Sequence, residues 1–145
     1  MSIVKSEDPA THIKMGIALE SLRDNGVAIV GSGFASLHNP PAMRALYFGG
    51  PEEVQHWGPL VDGWNAALTK VVLAGTTEER ARGLEKWQDL PHAAEIHPEG
   101  ETEHLMPLIV CAGAAGNSKG GSYTDVFCGV DVYTYYWGAD DVVVE

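Results

Sequence analysis

Two histidine-bearing segments hold the residues best suited to chemistry in this chain of 145 residues. The first is Gly31-Ser32-Gly33-Phe34-Ala35-Ser36-Leu37-His38-Asn39. A glycine-rich turn at a strand end brings backbone N–H groups close to a ligand. A histidine placed just after it titrates near neutrality, where proton transfer is useful. The segment is not a nucleotide loop, because its Gly-x-Gly lacks a third glycine and opens no helix directly. The second is His97-Pro98-Glu99-Gly100-Glu101-Thr102-Glu103-His104-Leu105-Met106-Pro107-Leu108. Two histidines and three glutamates converge there on a helix start, a composition suited to a metal ion or to proton transfer. On spacing alone, a solvated acidic loop with Thr102 capping the helix accounts for it equally well. There is no His-x-x-x-His or paired-cysteine motif, so a self-contained zinc site is not supported. His12, His56 and His92 read first as surface or core-edge histidines.

The elements that must position these segments follow from capping and periodicity. Asp8 as N-cap and Pro9 at the first helical position start a helix that Met15, Leu19 and Leu22 continue and Asn25-Gly26 ends. Val27 to Val30 is a short apolar run, typical of a buried strand covered on both faces. Helix, strand, glycine-rich turn is an α/β order, and ligands in open α/β sheets bind beyond the carboxyl ends of strands. Phe34 to Gly50 reads as a long loop. Trp57, Leu60, Val61, Trp64, Leu68 and Val71 mark a helix over about 52–73, with Gly58-Pro59 as a point of distortion. Shorter helices are expected over about 77–87 and 102–114, the latter capped by Thr102. The tail from Tyr123 to Val144, rich in Val and Tyr, predicts two or three strands. The expected fold class is therefore α/β, a central mixed sheet flanked by helices on both faces, with Val27 to Val30 as an internal strand.

Composition narrows the function classes. The formal charge is −11 and the nine basic residues are scattered, which argues against nucleic acid and against anionic membranes. The longest apolar stretches, such as Leu105 to Ala115, are far below the ~20 residues that span a bilayer. Met1 to Glu7 is polar and reads as no signal peptide. Cys111 and Cys128 are expected as free thiols, so the chain is expected in the cytoplasm.

The ordered set of motifs resembles the class III extradiol ring-cleavage dioxygenases, in particular their DOPA extradiol dioxygenase branch. The text that carries the resemblance is His12-Ile13-Lys14-Met15-Gly16-Ile17-Ala18-Leu19, Leu22-Arg23-Asp24-Asn25-Gly26-Val27, and Gly31-Ser32-Gly33 with His38-Asn39. It continues through Pro91-His92-Ala93-Ala94, His97-Pro98, Glu103-His104-Leu105-Met106-Pro107-Leu108 and Gly113-Ala114-Ala115-Gly116. The resemblance implies a catalytic acid/base role for His38 and a metal-ligand role for His104 toward Fe(II), or Zn(II) in some members. It sets His97 near the substrate as a second catalytic candidate, with Ser32, Asn39 and His12 as substrate-binding candidates. Residues 1–145 would form one α/β domain that lacks the family's N-terminal half, which in the family supplies two further histidine ligands. His97-Pro98 and Glu103-His104 also stand farther apart than in the family pattern, and Pro40-Pro41 follows His38-Asn39 where the family has Leu-Arg.

Three functions compete on this reading. The first is a ring-cleaving dioxygenase acting on a catecholic or phenolic small molecule. The second is a metal-independent acid/base enzyme, an isomerase, cyclase or lyase acting on a phenolic or polyketide-like molecule, with no cofactor. The third is a non-catalytic domain that binds a small molecule or a partner. A homo-oligomer is expected, because an uncovered sheet edge invites pairing. The resemblance further predicts that the His38 and His104 imidazoles lie in one pocket; rings on opposite faces of the domain would refute both role assignments.

Overall fold

A computed structural model describes residues 2–138. Helix α1, Pro9–Asp24, starts where Asp8 Oδ2 accepts the Thr11 N–H at 2.9 Å, and it ends before Gly26, whose φ of 82° only glycine adopts freely. Helix α2, Pro40–Phe48, stands where a loop was expected. Asn39 Oδ1 accepts the Ala42 N–H at 3.0 Å and Pro40 fills the first helical position, so the Asn-Pro-Pro run is a helix start rather than a break. Helix α3, Pro51–Val72, runs on through Gly58-Pro59. A residue before proline is pushed out of the helical region in part by its Cβ, which glycine lacks.

Helix α4, Thr77–Leu84, opens with a capping box between Thr76 and Glu79 and stops short of Trp87, which begins a 3-10 turn, Trp87–Asp89. A single turn, α5, Ala93–Ile96, follows. Helix α6, Met106–Ala114, begins four residues later than expected. Pro107 has no N–H to bond back, so it belongs in a first turn. Thr102 is not its cap; the Thr102 hydroxyl donates to the Glu7 carboxylate.

Strands β1, Gly120–Phe127, and β2, Val130–Trp137, form one antiparallel hairpin with Phe127 opposite Val130. Its two linking residues, Cys128 and Gly129, have φ of 49° and 89°, the left-handed pair that matches the twist of a two-residue hairpin. The part of the expected tail strands beyond Gly138 lies outside the described residues.

The expected central sheet is not what forms. Among the described residues the only sheet is this hairpin, packed against several helices, so the architecture is mixed α and β with a small antiparallel sheet. Val27 to Val30 is not a strand, and Val30 is 86% exposed. An apolar run becomes a strand only when another backbone pairs with it, and none of the described segments does so.

The core gathers around α3, where Trp64, Leu68 and Val72 are fully buried against Leu84, Ile96 and Ile109. Helices α1 and α6 cross with backbones nearly touching. A Cβ on Gly16 would collide with the Val110 carbonyl oxygen and lie 2.8 Å from the Ala114 nitrogen, and one on Gly113 would lie 3.1 Å from the Gly16 Cα. The C-terminal carbonyls of α6 meet two arginines. Buried Arg80 donates to the carbonyls of Ala112 and Gly116, and Arg23 donates to that of Ala115. No helix among the described residues is long and apolar enough to cross a membrane.

The crossing yields a stability prediction. Alanine gains about 1 kcal/mol of helix propensity over glycine, but here it must displace backbone rather than a flexible side chain. Gly16→Ala and Gly113→Ala should each destabilise the fold by roughly 2–3 kcal/mol net. Chemical denaturation midpoints check this; an unchanged midpoint would show that the helices separate freely.

Candidate metal centre

The position of His38 is fixed by the segment that leads to it. From Ala28 to Gly33 the chain lies along the first turns of α6. A Cβ on Gly31 would sit 2.6 Å from the Pro107 carbonyl oxygen, and one on Gly33 would collide with the carbonyl oxygen of His104. These glycines were expected to admit a ligand to the backbone; they admit the protein's own helix instead. The Ala35 carbonyl then accepts two hydrogen bonds, from Trp64 Nε1–H and from His97 Nε2–H, each at 2.8 Å. The buried Ser36 hydroxyl accepts the Tyr133 N–H at 2.7 Å, Leu37 is fully buried, and the His38 N–H donates to the Ile96 carbonyl at 3.0 Å. Four successive residues are thus tied to the core. His104 is held from the other side, because Leu105 and Met106 beside it are fully buried.

The two imidazoles stack face to face, with centroids 3.7 Å apart and planes 4° from parallel. His38 Nδ1–H donates to the Glu101 carbonyl at 3.1 Å, which leaves Nε2 free to take a proton or a metal. A ligating histidine commonly donates its other N–H in this way. Glu103 Oε1 lies 3.8 Å from His104 Nε2 and 3.9 Å from His38 Nδ1, and Glu101 Oε2 is also 3.9 Å from His38 Nδ1. One donor atom from each of His38, Glu103 and His104 lies within 4.8 Å of the others. Two imidazoles and one carboxylate are the donor set of non-haem Fe(II) sites that leave coordination positions open, and Zn(II) accepts the same donors. The cluster fits a divalent cation. It is partly exposed, so an ion and a substrate can reach it.

The other expected site residues lie around this centre in different ways. His97 is 2% exposed, wedged against the Trp64 and Trp87 rings, with its Nδ1 facing the Glu101 backbone without a well-formed hydrogen bond. Burial depresses its pKa to about 4, the Ala35 bond opposing only in part. Asn39 spends both ends of its amide locally, capping α2 and donating to the Glu95 carbonyl at 2.7 Å. His12 is fully buried, and its ring bonds the backbone of Val4 and Asp8. Ser32 lines a cavity of about 550 Å³ together with Glu103, His104, Met15, Ile3 and Cys111. Glu103 as a metal donor was not singled out from the sequence. The signal was its place beside His104, shared with two other glutamates.

Comparison with known proteins gives the chain a set of relatives. It is 48% identical over 147 residues to a protein described as dioxygenase tasH from Hapsidospora irregularis, a match covering 98% of this chain and 44% of the relative. It is 36% identical to a 4,5-DOPA dioxygenase extradiol of Beta vulgaris, covering 82% of this chain and 40% of that protein. It is 33% identical to a protein so described from Mirabilis jalapa, covering 81% and 39%. The chain thus spans well under half the length of the curated relatives it matches. No protein-family model matches it, and no solved structure matches it.

Burial of His97 generates a pH prediction. The fold keeps the ring neutral, whereas an unfolded chain protonates it below its ordinary pKa of 6.5. This contribution is complete above about pH 6.5 and falls away as the pH drops toward 4, by on the order of 3 kcal/mol. Unfolding free energies across that window should therefore slope less steeply in His97→Gln than in the parent. Equal slopes would refute the neutral, buried assignment.

Proposed function

We propose that this chain, a relative of the class III extradiol ring-cleavage dioxygenases over part of their length, acts in extradiol-type dioxygenation of a catecholic or phenolic small molecule. The observation that carries the reading is the meeting of His38 with the distant sequence neighbours Glu103 and His104, whose donor atoms all lie within 4.8 Å of one another. An Fe(II) ion held there would supply the redox chemistry that a catechol and dioxygen lack on their own, and Zn(II) is the other ion the donors suit.

The protein's own groups do the positioning. The Glu101 carbonyl orients His38 through Nδ1–H, and Ala35, fixed by Trp64 and His97, sets the loop that carries it. Neutral His97 stiffens the wall behind His38. The cavity beside Glu103 and His104 is within the range of small-molecule sites and brings Ser32 to the substrate. Free Cys111 and Cys128 agree with a reducing, cytoplasmic setting for this activity.

A second reading has its own observation. The parallel histidine stack with carboxylates at 3.8–3.9 Å is a run of titratable groups able to pass a proton without a metal. Metal analysis and turnover of a phenolic substrate before and after chelation distinguish the two. The dioxygenase reading expects near-stoichiometric iron or zinc, with turnover lost on chelation and restored by Fe(II). His104→Ala and Glu103→Ala should each lower metal affinity at least tenfold. His38→Ala decides between the two roles open to that residue. Metal lost with activity makes it a donor, and metal kept while activity falls makes it the acid/base group.

A further inference from the structure

The turn that carries Glu103 closes on itself through local backbone bonds. The Glu101 N–H donates to the Pro98 carbonyl at 3.0 Å, and the Leu105 N–H donates to the Thr102 carbonyl at 3.1 Å. Among the described residues, two side-chain hydrogen bonds tie this turn to distant parts of the chain. One runs from His38 Nδ1–H to the Glu101 carbonyl. The other runs from the Thr102 hydroxyl to the carboxylate of Glu7. Thr102 thus stands between the residue whose carbonyl orients His38 and the residue whose carboxylate approaches both rings.

Glu7 stands on a rigid platform. It precedes Asp8, the N-cap of α1, and α1 is locked against α6 through Gly16 and Gly113. The Glu7 N–H donates to the Val4 carbonyl at 3.0 Å. The Val4 N–H donates to His12 Nε2 at 3.1 Å, and His12 Nδ1–H donates to the Asp8 carbonyl at 2.8 Å. The fully buried His12 ring thereby fastens the segment before α1 back onto the helix. Ser2 and Ile3 of that segment line the cavity beside Glu103 and His104. Glu7 itself has a φ of 50°, a left-handed conformation that a residue with a side chain seldom takes. Such strain persists where the surroundings over-determine it, and it collects at functional sites.

We infer that Glu7 is a positioning residue for the metal centre. By accepting from Thr102, it sets the turn that delivers the Glu101 carbonyl and the Glu103 carboxylate to the His38–His104 pair. A hydroxyl bonded to a carboxylate is a charge-assisted pair, stronger than one between neutral groups. Glu7 acts through Thr102 and is not itself a donor: the group that meets at the site is His38, Glu103 and His104. The inference rests on the metal-centre reading of those three residues for one of its two readouts; the other needs no metal.

The first readout is the NMR signature of the stacked rings in the metal-free protein, at one fixed pH. Each ring shifts the C–H protons of the other, and His38→Ala and His104→Ala assign those signals. Glu7→Ala and Thr102→Val should each remove at least about half of the mutual shift, whereas Glu7→Gln, which still offers an acceptor, should keep it. The second readout is Zn(II) affinity by titration calorimetry, at the site that His104→Ala removes. Glu7→Ala and Thr102→Val should each weaken it about tenfold, the low end for loss of a group that orients a ligand. The double variant should lose no more than either single one, because both changes cut the same bond. Glu7→Gly separates this role from stability. Glycine relieves the left-handed strain, so Glu7→Gly should melt above Glu7→Ala yet bind Zn(II) as weakly. A hundredfold loss in the double variant, or Glu7→Gln as weak as Glu7→Ala, would overturn the inference, the latter by assigning the effect to charge. So would unchanged ring shifts in Glu7→Ala. Should the parent bind no Zn(II), the metal centre itself falls, and the ring shifts alone decide whether Glu7 sets the turn.

Discussion

Helix α6 has almost no side-chain padding on two of its sides, and this close approach governs the rest of the molecule. On one side Gly16 and Gly113 bring the backbone of α1 against it; on the other Gly31 and Gly33 bring in the segment that leads to His38. Each contact replaces a layer of side chains by backbone against backbone, so neither neighbour can shift without collision. The register of α6 is therefore set from both flanks. Because His104 stands just before its first turn, that register also determines where one half of the metal centre lies.

The other half depends on a single carbonyl. Ala35 takes hydrogen bonds from Trp64 and His97, both rooted in the core, and each donor costs energy if left unpaired in so dry a setting. His97 thereby joins the histidine loop to the tryptophan cluster. The centre is a product of packing: two flexible-looking segments are immobilised separately, and the imidazoles meet because both anchors are rigid.

What the sequence disclosed follows from how local each signal is. Asp8-Pro9 and the α3 stripe were readable because caps and periodicity act within a few residues. Asn39-Pro40 carried the same start signal, but a proline pair reads as readily as a break. Val27 to Val30 misled for the opposite reason: apolar content says that burial is favourable, not that a pairing backbone is available. At the site, the ordered motifs drew attention to His38 and His104. They could not choose Glu103 from among three neighbouring glutamates, because only the turn before α6 decides which carboxylate meets the rings. Nor could they reveal that the glycines of Gly31-Ser32-Gly33 face a helix, since a glycine needed for a ligand and one needed for a neighbour are written alike.

The termini of α6 are unlike in their access to ions. Its carboxyl end is neutralised by buried Arg80, held by backbone carbonyls and shielded from solvent. Its amino end carries Glu103 and His104 at the surface, where dissolved salt screens charge over a Debye length of about 8–10 Å. Ionic strength therefore acts unevenly on this helix. Added salt leaves the buried arginine clamp intact while screening the partly exposed Glu103 carboxylate, so the electrolyte acts on the acidic turn beside the histidine stack before it acts on the fold.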